Sequence, residues 1–222
     1  MPALTDLVRR LQATLPMARL EVAPLPGCPE IRLALINADF PPGPLPGDVS
    51  AAVIARPAYW SFCWGSGLAL ARYLLDQPHW VRGRRVLDLG SGSGVVAIAA
   101  ALAGAARVVA CDNDDDALAA TAANAALNGV ACRTVTDLAE AGRDHDLLLM
   151  ADVLYDRANL PLLTAAAGHA REVLVADSRI AELPDPAYRE ITTIEALTHP
   201  NLGEFDEFRT VRLFHRGPLH TG

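Results

Sequence analysis

The hydrophobic and polar positions of this chain follow a helical period at its start and a β-strand pattern soon after. Leucines recur at helical spacing over residues 4–15 with arginines on the opposite face, which predicts a helix that docks on the main domain. Two β-like stretches follow at 19–25 and 30–36. The Pro/Gly-rich passage 39–48 predicts a loop, because proline can neither continue a helix nor join a central strand.

Strand and helix patterns then alternate from about residue 66. Apolar strand patterns lie at 84–90, 106–112, 131–137, 146–153 and 172–178, and helical patterns lie at 67–78, 94–104, 115–129 and 157–170. Strict alternation predicts a doubly wound, mostly parallel α/β sheet, because parallel strands need crossover helices. The last apolar run, 207–216, has no helix after it and is expected to join the far end of the sheet as an antiparallel strand. We therefore predict a small N-terminal α/β appendage over 1–50 and a main domain over 51–222.

Composition narrows the classes of function. The net charge of −7 argues against a broad nucleic-acid interface, and the apolar runs are too short or interrupted to span a bilayer. All 19 basic residues are arginine, so the chain contains no lysine. The four cysteines have no metal-ligand spacing, which predicts no metal and free thiols in a reducing compartment such as the cytoplasm. These cysteines are Cys28, Cys63, Cys111 and Cys132.

A glycine-rich turn joins the first strand of the main domain to its helix. The turn runs Gly90-Ser91-Gly92-Ser93-Gly94 and follows Asp88. Glycines at this place let the backbone approach a nucleotide at the helix N-terminus. A dinucleotide fingerprint would need a glycine where the chain has Val95, and Asp88 suits the ammonium group of S-adenosylmethionine (SAM). The pattern therefore favours SAM over NAD.

Acidic residues follow the next two strands. Asp112 ends the second strand, where a carboxylate can accept both ribose hydroxyls of either nucleotide. Asp137 follows the third strand and is placed to meet an adenine amino group, although an ordinary loop aspartate is nearly as consistent with the spacing. Their neighbours Asn113 and Leu138 are included in the predicted cofactor site.

The stretch "DNDDDA" at 112–117 also resembles the start of a calcium loop. Alanines occupy the glycine and glutamate positions that such a loop requires, so calcium is not expected. Asp115 and Asp116 are expected instead to cap the helix that follows.

The fourth strand ends in "ADVLYD". It brings Ala151, Asp152 and Tyr155 to the edge of the sheet where the cofactor is expected, and Asp156 is a natural helix N-cap. Without a nucleotide site, Asp152 and Tyr155 would be interpreted as a capping and a packing residue. With it, a functional interpretation of both is favoured.

Two tryptophans lie in the aromatic stretch 57–67, just before the first helix of the main domain. Trp60 and Trp64 could both be core residues. The alternative is a tryptophan packed over the cofactor pocket.

Taken together, these motifs resemble the seven-β-strand protein methyltransferases, and within them the family 16 lysine methyltransferases, which carry D-x-x-Y after strand four. Here that motif is Asp152-Val153-Leu154-Tyr155. The series "PEIRLALI", "PAYWSFCWGSGLALARYLLDQP", "VRGRRVLDLGSGSG" and "ADVLYD" resembles the branch acting on the electron transfer flavoprotein β subunit, in a bacterial form. The resemblance covers about residues 29–178. The family's W-P-G-G is replaced by Trp64-Gly65-Ser66-Gly67.

The resemblance implies a seven-stranded Rossmann-like methyltransferase sheet, SAM as cofactor with S-adenosylhomocysteine as product, and the flavoprotein β subunit as protein substrate. It implies that Asp152 and Tyr155 face the incoming lysine as the catalytic pair. The implied cofactor site comprises Trp64, Asp88, Gly90, Ser91, Gly92, Gly94, Asp112, Asn113, Asp137, Leu138 and Ala151.

Several alternatives remain open from the sequence. The acceptor could be a small amine or a ribosomal protein, because only the acceptor mouth distinguishes these substrates. The chain could be a non-catalytic SAM-binding module, against which the retention of both Asp152 and Tyr155 argues. An NAD oxidoreductase is disfavoured by Val95.

Overall fold

The computed structural model describes residues 2–41, 43, 46–203 and 208–218. Its main feature is a seven-stranded sheet. Its strands are β3 (Arg85–Leu89), β4 (Arg107–Cys111), β5 (Arg133–Val135), β6 (His145–Ala151), β7 (Ala170–Asp177), β8 (Arg189–Glu195) and β9 (Thr210–Arg216). Their order is β5-β4-β3-β6-β7-β9-β8. The first five are parallel, and β9 is antiparallel to both of its neighbours. The predicted doubly wound, mostly parallel sheet with an antiparallel C-terminal strand is confirmed.

Helices cover both faces of this sheet. They are α1 (Pro2–Thr14), α2 (Gly47–Ala55), α3 (Gly65–Asp76), α4 (Val95–Leu102), α5 (Asp115–Leu127), α6 (Leu138–Ala141) and α7 (Leu162–Ala167). Short 3-10 helices lie at Tyr59–Ser61, Pro78–Trp80 and Arg157–Asn159. A separate antiparallel hairpin pairs β1 (Leu20–Leu25) with β2 (Cys28–Ile36). Among the described residues, no helix combines the length and the apolar character that crossing a bilayer requires.

The structure corrects the sequence prediction at the far end of the sheet. The C-terminal strand β9 does not lie at the edge; it inserts between β7 and β8. Strand β8 was missed because it is an edge strand with no buried residue and a polar, threonine-containing sequence, so it lacks the apolar run of a central strand. The helix expected at 157–170 is reduced to a 3-10 turn and α7, which begins after Pro161.

The N-terminal segment packs directly on the main domain. Leu7 and Leu11 of α1 are buried in one cluster with Ala117 and Ala120 of α5, so the predicted docking of this helix is confirmed. The hairpin is held by side chains of α5: Asn124 accepts the N–H of Ala34 at 2.8 Å. Similarly, Asn128 accepts the N–H of Arg32 at 2.9 Å.

Some of the predicted loop 39–48 and of the predicted last strand lie outside the described residues, namely 42, 44, 45 and 207. The division of the chain at residue 50 stays a prediction. What positions the functional site is the sheet itself: the carboxyl ends of β3, β4, β5 and β6 lie at one edge, where α/β folds bind their ligands.

Candidate active site

A cavity of about 610 Å³ opens at this carboxyl edge of the sheet. Its volume lies in the range of about 300–1,000 Å³ that is typical of pockets for small organic ligands. Most of the predicted site residues line it: Trp64, Gly90, Gly92, Asp112, Asn113, Asp137, Leu138, Ala151, Asp152 and Tyr155. Asp88, Ser91 and Gly94 are not among its lining residues; Asp88 is buried behind the glycine-rich turn, and Ser91 and Gly94 belong to the turn.

The three glycines of the turn meet different constraints. All have positive φ, at 77° for Gly90, 51° for Gly92 and 83° for Gly94. A Cβ at Gly94 would lie 2.9 Å from Cα of Thr121, so this glycine allows the turn to approach α5. A Cβ at Gly92 would meet no atom within 4 Å. Gly92 therefore leaves open space at the cavity wall, whereas Gly94 is needed for packing.

Asp88 is buried beneath the first turn of α4. Its Oδ2 accepts the backbone N–H of Ala97 at 3.0 Å, and its residue exposure is only 1%. Burial raises the pKa of this carboxyl to about 7. Ser91 is also buried, and its hydroxyl accepts a hydrogen bond from Thr121 at 3.1 Å. The expected direct contact between Asp88 and the ammonium group of SAM stays a prediction. The burial of Asp88 behind the turn does not favour it.

Asp112 lies in the cavity wall at the end of β4. Its Oδ2 accepts the N–H of Gly92 at 2.9 Å, and its Oδ1 accepts the N–H of Asp114 at 3.0 Å. Burial raises the pKa of this carboxyl, and the two backbone donors oppose that rise. Each oxygen keeps further lone pairs, so the carboxylate is oriented and can still accept hydroxyl groups from a ligand.

The acidic helix caps differ in part from those expected. The N-cap of α5 is Asp114, whose side chain accepts the N–H of Asp116, and not Asp115 or Asp116. The Asp116 carboxylate instead forms ion pairs with Arg10 at 2.5 Å and with Arg56 at 2.8 Å, which fasten α1 and the end of α2 to α5.

Two further caps lie at the cavity. Asp137 caps α6 by accepting the N–H of Glu140 at 2.9 Å, while it also lines the cavity. Asp156 caps the 3-10 helix Arg157–Asn159, as predicted for a helix at this place.

Asp152 occupies a sharp turn directly after β6. It is the only non-glycine residue with positive φ, at 54°, in the part of the chain that the structure describes. Its Oδ1 accepts the hydroxyl of Ser66 at 2.5 Å, and its Oδ2 accepts the backbone N–H of Ser66 at 2.9 Å. Burial raises the pKa of this carboxyl to about 6, although the Ser66 hydrogen bonds lower it. The carboxylate therefore binds the N-terminus of α3 and, above pH 6, is mostly ionised.

Aromatic rings stand at the opening of the cavity. Tyr155 is 55% exposed, and its ring meets that of Tyr59 edge to face at a centroid distance of 6.0 Å. Tyr59 in turn contacts Trp64 at 5.8 Å, and the indole N–H of Trp64 donates to the carbonyl of Tyr59 at 2.9 Å. Trp60 lines the cavity but is 1% exposed and packs in the core with α1 and α5.

Sequence reasoning missed three residues of this site. Tyr59 lies beside the two tryptophans that were singled out, and its place in the aromatic stretch was the available signal. Ser66 contacts Asp152 across 86 positions of the chain, which no local pattern reveals. Arg179 lines the cavity beyond β7, with its guanidinium 4.6 Å above the ring of Phe208.

No group of three or more His, Cys, Asp or Glu side chains that could hold a metal occurs within residues 2–41, 43, 46–203 and 208–218. All four cysteines are free thiols; Cys28, Cys63 and Cys111 are buried, and Cys132 is half-buried.

Comparison with known proteins finds methyltransferases among both the relatives and the solved structures. The family model of ribosomal protein L11 methyltransferase (PrmA) matches residues 70–158. The chain is 40% identical over 149 residues to the electron transfer flavoprotein beta subunit lysine methyltransferase of Danio rerio, covering 64% of this chain and 57% of that protein. The chain is therefore similar to these methyltransferases over its central part. The resemblance inferred from its motifs is confirmed, although the match spans little more than half of the zebrafish protein.

Solved structures of methyltransferases agree with this fold. The ribosomal protein L11 methylase of Lactobacillus delbrueckii subsp. bulgaricus is 25% identical with a TM-score of 0.51, covering 67% of this chain and 78% of its own. The magnesium protoporphyrin IX methyltransferase of Synechocystis PCC 6803, solved with bound S-adenosylhomocysteine, is 16% identical with a TM-score of 0.51, covering 79% and 89%. The sheet is therefore that of a Rossmann-like methyltransferase.

Proposed function

We propose that the chain is a SAM-dependent protein-lysine N-methyltransferase whose substrate is the β subunit of electron transfer flavoprotein. The observation that carries the proposal is the convergence of two half-sites on one cavity. Gly90, Gly92 and Asp112 line the cavity after β3 and β4, and Asp152 and Tyr155, here called the acceptor wall, line it after β6. The homologue at 40% identity is named for this activity and this substrate.

The residues present fit the cofactor. Gly92 leaves open space at the wall, and Asp112 presents an oriented carboxylate for the ribose hydroxyls. Asp137 and Leu138 line the cavity at the start of α6, which supports their proposed contact with the adenine, and Trp64 lines the same cavity. When bound, SAM would supply the methyl group.

The acceptor wall suits a lysine side chain. Tyr155 and Tyr59 present aromatic rings at the opening, and ring faces attract an ammonium group and cover the alkyl stem. The lysine nitrogen has no lone pair until it loses a proton, since its ordinary pKa is about 10.4. Burial in the cavity would lower that pKa, whereas the ionised Asp152 would raise it. We therefore assign no general base and expect the proton to leave to solvent.

Asp152 is better suited to positioning the lysine nitrogen and stabilising its charge than to acting as a general base. Positive charge accumulates on the lysine nitrogen as the methyl group arrives, and a fixed carboxylate stabilises that charge. The nitrogen and the methyl carbon must be held about 3 Å apart in line, which is the main contribution of such a site. Two hydrogen bonds from Ser66 fix the Asp152 carboxylate so that it can position the lysine nitrogen.

The test is methyl transfer from labelled SAM to purified electron transfer flavoprotein. We expect label on the β subunit and methyl-sized mass increments on its lysines. Because the chain contains no lysine, it should show no lysine automethylation, and the background is low. Calorimetric titration with S-adenosylhomocysteine and with NAD forms a second arm, in which only the former should bind. Absence of label on the β subunit would contradict the proposed substrate.

A ribosomal protein is the second candidate acceptor. The family model over residues 70–158 and the L11 methylase structure favour it specifically. Purified ribosomal protein L11 therefore belongs in the same assay, together with a small amine such as nicotinamide. The aspartate and tyrosines at the opening favour a protein lysine over a small amine, and the assay decides between the two proteins. Binding of S-adenosylhomocysteine without transfer to any acceptor would instead indicate a non-catalytic SAM-binding module.

We further propose a cytoplasmic location in a bacterial cell. The four free thiols support it, because free cysteines persist in reducing compartments.

A further inference from the structure

The Asp152 carboxylate is held by another element of the fold, and not by its own loop. Both of its oxygens accept hydrogen bonds from one residue, Ser66, in the first turn of α3. Ser66 is fully buried, so solvent does not compete for these bonds. A carboxylate at a helix N-terminus is also favoured by the helix dipole.

The backbone of Asp152 is also held in place, at a positive φ. A φ of 54° is unfavourable for a residue with a Cβ, and such a conformation persists only where surrounding contacts impose it. The N–H of Asp152 is held at 3.2 Å from the carbonyl of Ala176 on β7. The two Ser66 bonds fix the side chain, and together these contacts define where the carboxylate faces the cavity.

We propose that Ser66 is a positioning residue for methyl transfer, whose hydroxyl and backbone N–H hold the Asp152 carboxylate at the acceptor wall. This inference rests on the proposed methyltransferase function. The hydroxyl is the part that substitution can remove, since any residue but proline would keep the N–H. Loss of the hydroxyl leaves Oδ1 without its protein donor and lets the carboxylate rotate in the opening.

The hydroxyl also affects the protonation of Asp152. The titratable and charged groups that act on this carboxyl are Asp177 and Arg179 from the end of β7, and Cys63 lies near it before α3. Asp177 raises its pKa, while Arg179 and the Ser66 hydrogen bonds lower it. Removal of the hydroxyl therefore raises the pKa of Asp152, and the ionised form appears at a higher pH.

The experiment compares Ser66→Ala and Ser66→Gly with the wild-type chain. Both variants lack the hydroxyl, but they differ in helix propensity. We expect kcat for methylation of the flavoprotein β subunit to fall about tenfold in both. The KM for SAM should stay within about twofold, and the acidic limb of the pH profile should move up by about half a unit or more. A purely structural role would instead separate the two variants according to their stability.

Thr198→Val is the matched control. The Thr198 hydroxyl accepts the N–H of Gly65 at 3.3 Å at the same helix start, whereas the donors to the Asp152 carboxylate belong to Ser66. This variant should keep the wild-type pH profile. Wild-type kinetics in Ser66→Ala, or an equal shift in Thr198→Val, would overturn the proposal.

A readout without substrate separates this inference from the proposed function. The Asp152 carboxyl resonance can be titrated by NMR in the wild-type chain and in Ser66→Ala. An upward pKa shift in the variant supports the contact even if no acceptor is methylated, in which case only the proposed function fails. An unchanged titration overturns the inference even if the wild-type enzyme is active.

Discussion

Asp88 and Asp152 follow the same local pattern on two neighbouring strands, yet the structure uses them differently. Each lies at or just beyond the carboxyl end of its strand, β3 or β6, and burial raises the pKa of both. Asp88 points under α4 and bonds a backbone N–H within its own βα unit. Asp152 turns outward at positive φ and bonds the start of α3. A position near the carboxyl end of a strand therefore predicts that the residue lies at this edge of the sheet. The N–H or O–H group that binds its carboxylate decides whether that carboxylate reaches the cavity.

The strongest test of this comparison is Asp152→Asn. The amide has nearly the shape of the carboxylate but no charge to stabilise the lysine nitrogen, so methyl transfer should fall by about 100-fold or more. The dissociation constant of SAM should stay within several-fold, because Asp152 lies on the acceptor wall. Initial rates with the flavoprotein β subunit and calorimetry with SAM measure the two effects. An Asn variant with normal activity would remove Asp152 from the mechanism.

Asp88→Asn should act on stability. Burial raises the pKa of the Asp88 carboxyl to about 7 in the folded chain, from an ordinary value of 3.8. Between these values it is protonated when folded and ionised when unfolded, so the wild-type chain loses stability as pH rises through this window. Asparagine keeps an oxygen for the N–H of Ala97 and avoids that loss. The variant should be more stable than wild type by about 2–4 kcal/mol at about pH 8, and nearly equal at about pH 4.

Urea unfolding at both pH values measures this difference. The exposed Asp115→Asn serves as the control, because it removes one charge without changing a buried site. Destabilisation of the chain by Asp88→Asn at pH 8 would contradict the stability prediction. Loss of SAM binding in a stably folded Asp88→Asn variant would make Asp88 a cofactor ligand, as its motif suggests, and the contrast with Asp152 would be lost.

The glycine turn provides a second way to sharpen the contrast between packing and binding. Gly94→Ala would place a Cβ 2.9 Å from Cα of Thr121 at φ 83°, so we expect about 2–3 kcal/mol of lost stability. Gly92→Ala meets open space, so only the positive φ of 51° costs about 1–2 kcal/mol, while the new methyl group faces the cavity. Urea unfolding and SAM titration should therefore rank the two variants in opposite orders. The same order in both assays would contradict this assignment.

Most of the fold could be predicted from the sequence because β3, β4 and β6 are buried apolar runs and each has a helix after it. Strand β8 escaped because an edge strand with half-exposed threonines and isoleucines has neither feature. The place of β9 escaped because pairing between antiparallel strands depends on which edge is free, and not on the local pattern.

The site was predictable as far as it follows strand ends. Asp112, Asp137 and Asp152 all line the cavity because the carboxyl ends of parallel strands meet at one edge. What could not be predicted are contacts that join distant parts of the chain. The Ser66 hydroxyl reaches Asp152 from 86 residues away, and Tyr59 meets Tyr155 only after the chain has crossed the sheet. Asp88 was assigned to the cofactor on spacing, which carries no information on side-chain direction.

The smallest expected effect concerns Tyr59, the aromatic residue of the acceptor wall that the motifs did not include. Its ring is 48% exposed and meets Tyr155 edge to face. Tyr59→Ala should raise the KM for the protein acceptor about two- to fivefold, as expected for the loss of one exposed cation–π partner. The dissociation constant of SAM should change less than about twofold. Tyr59→Phe should behave as wild type, because the ring and not the hydroxyl faces Tyr155. An equal loss in both variants would assign the effect to the hydroxyl, and a change in SAM affinity alone would move Tyr59 from the acceptor wall to the cofactor wall.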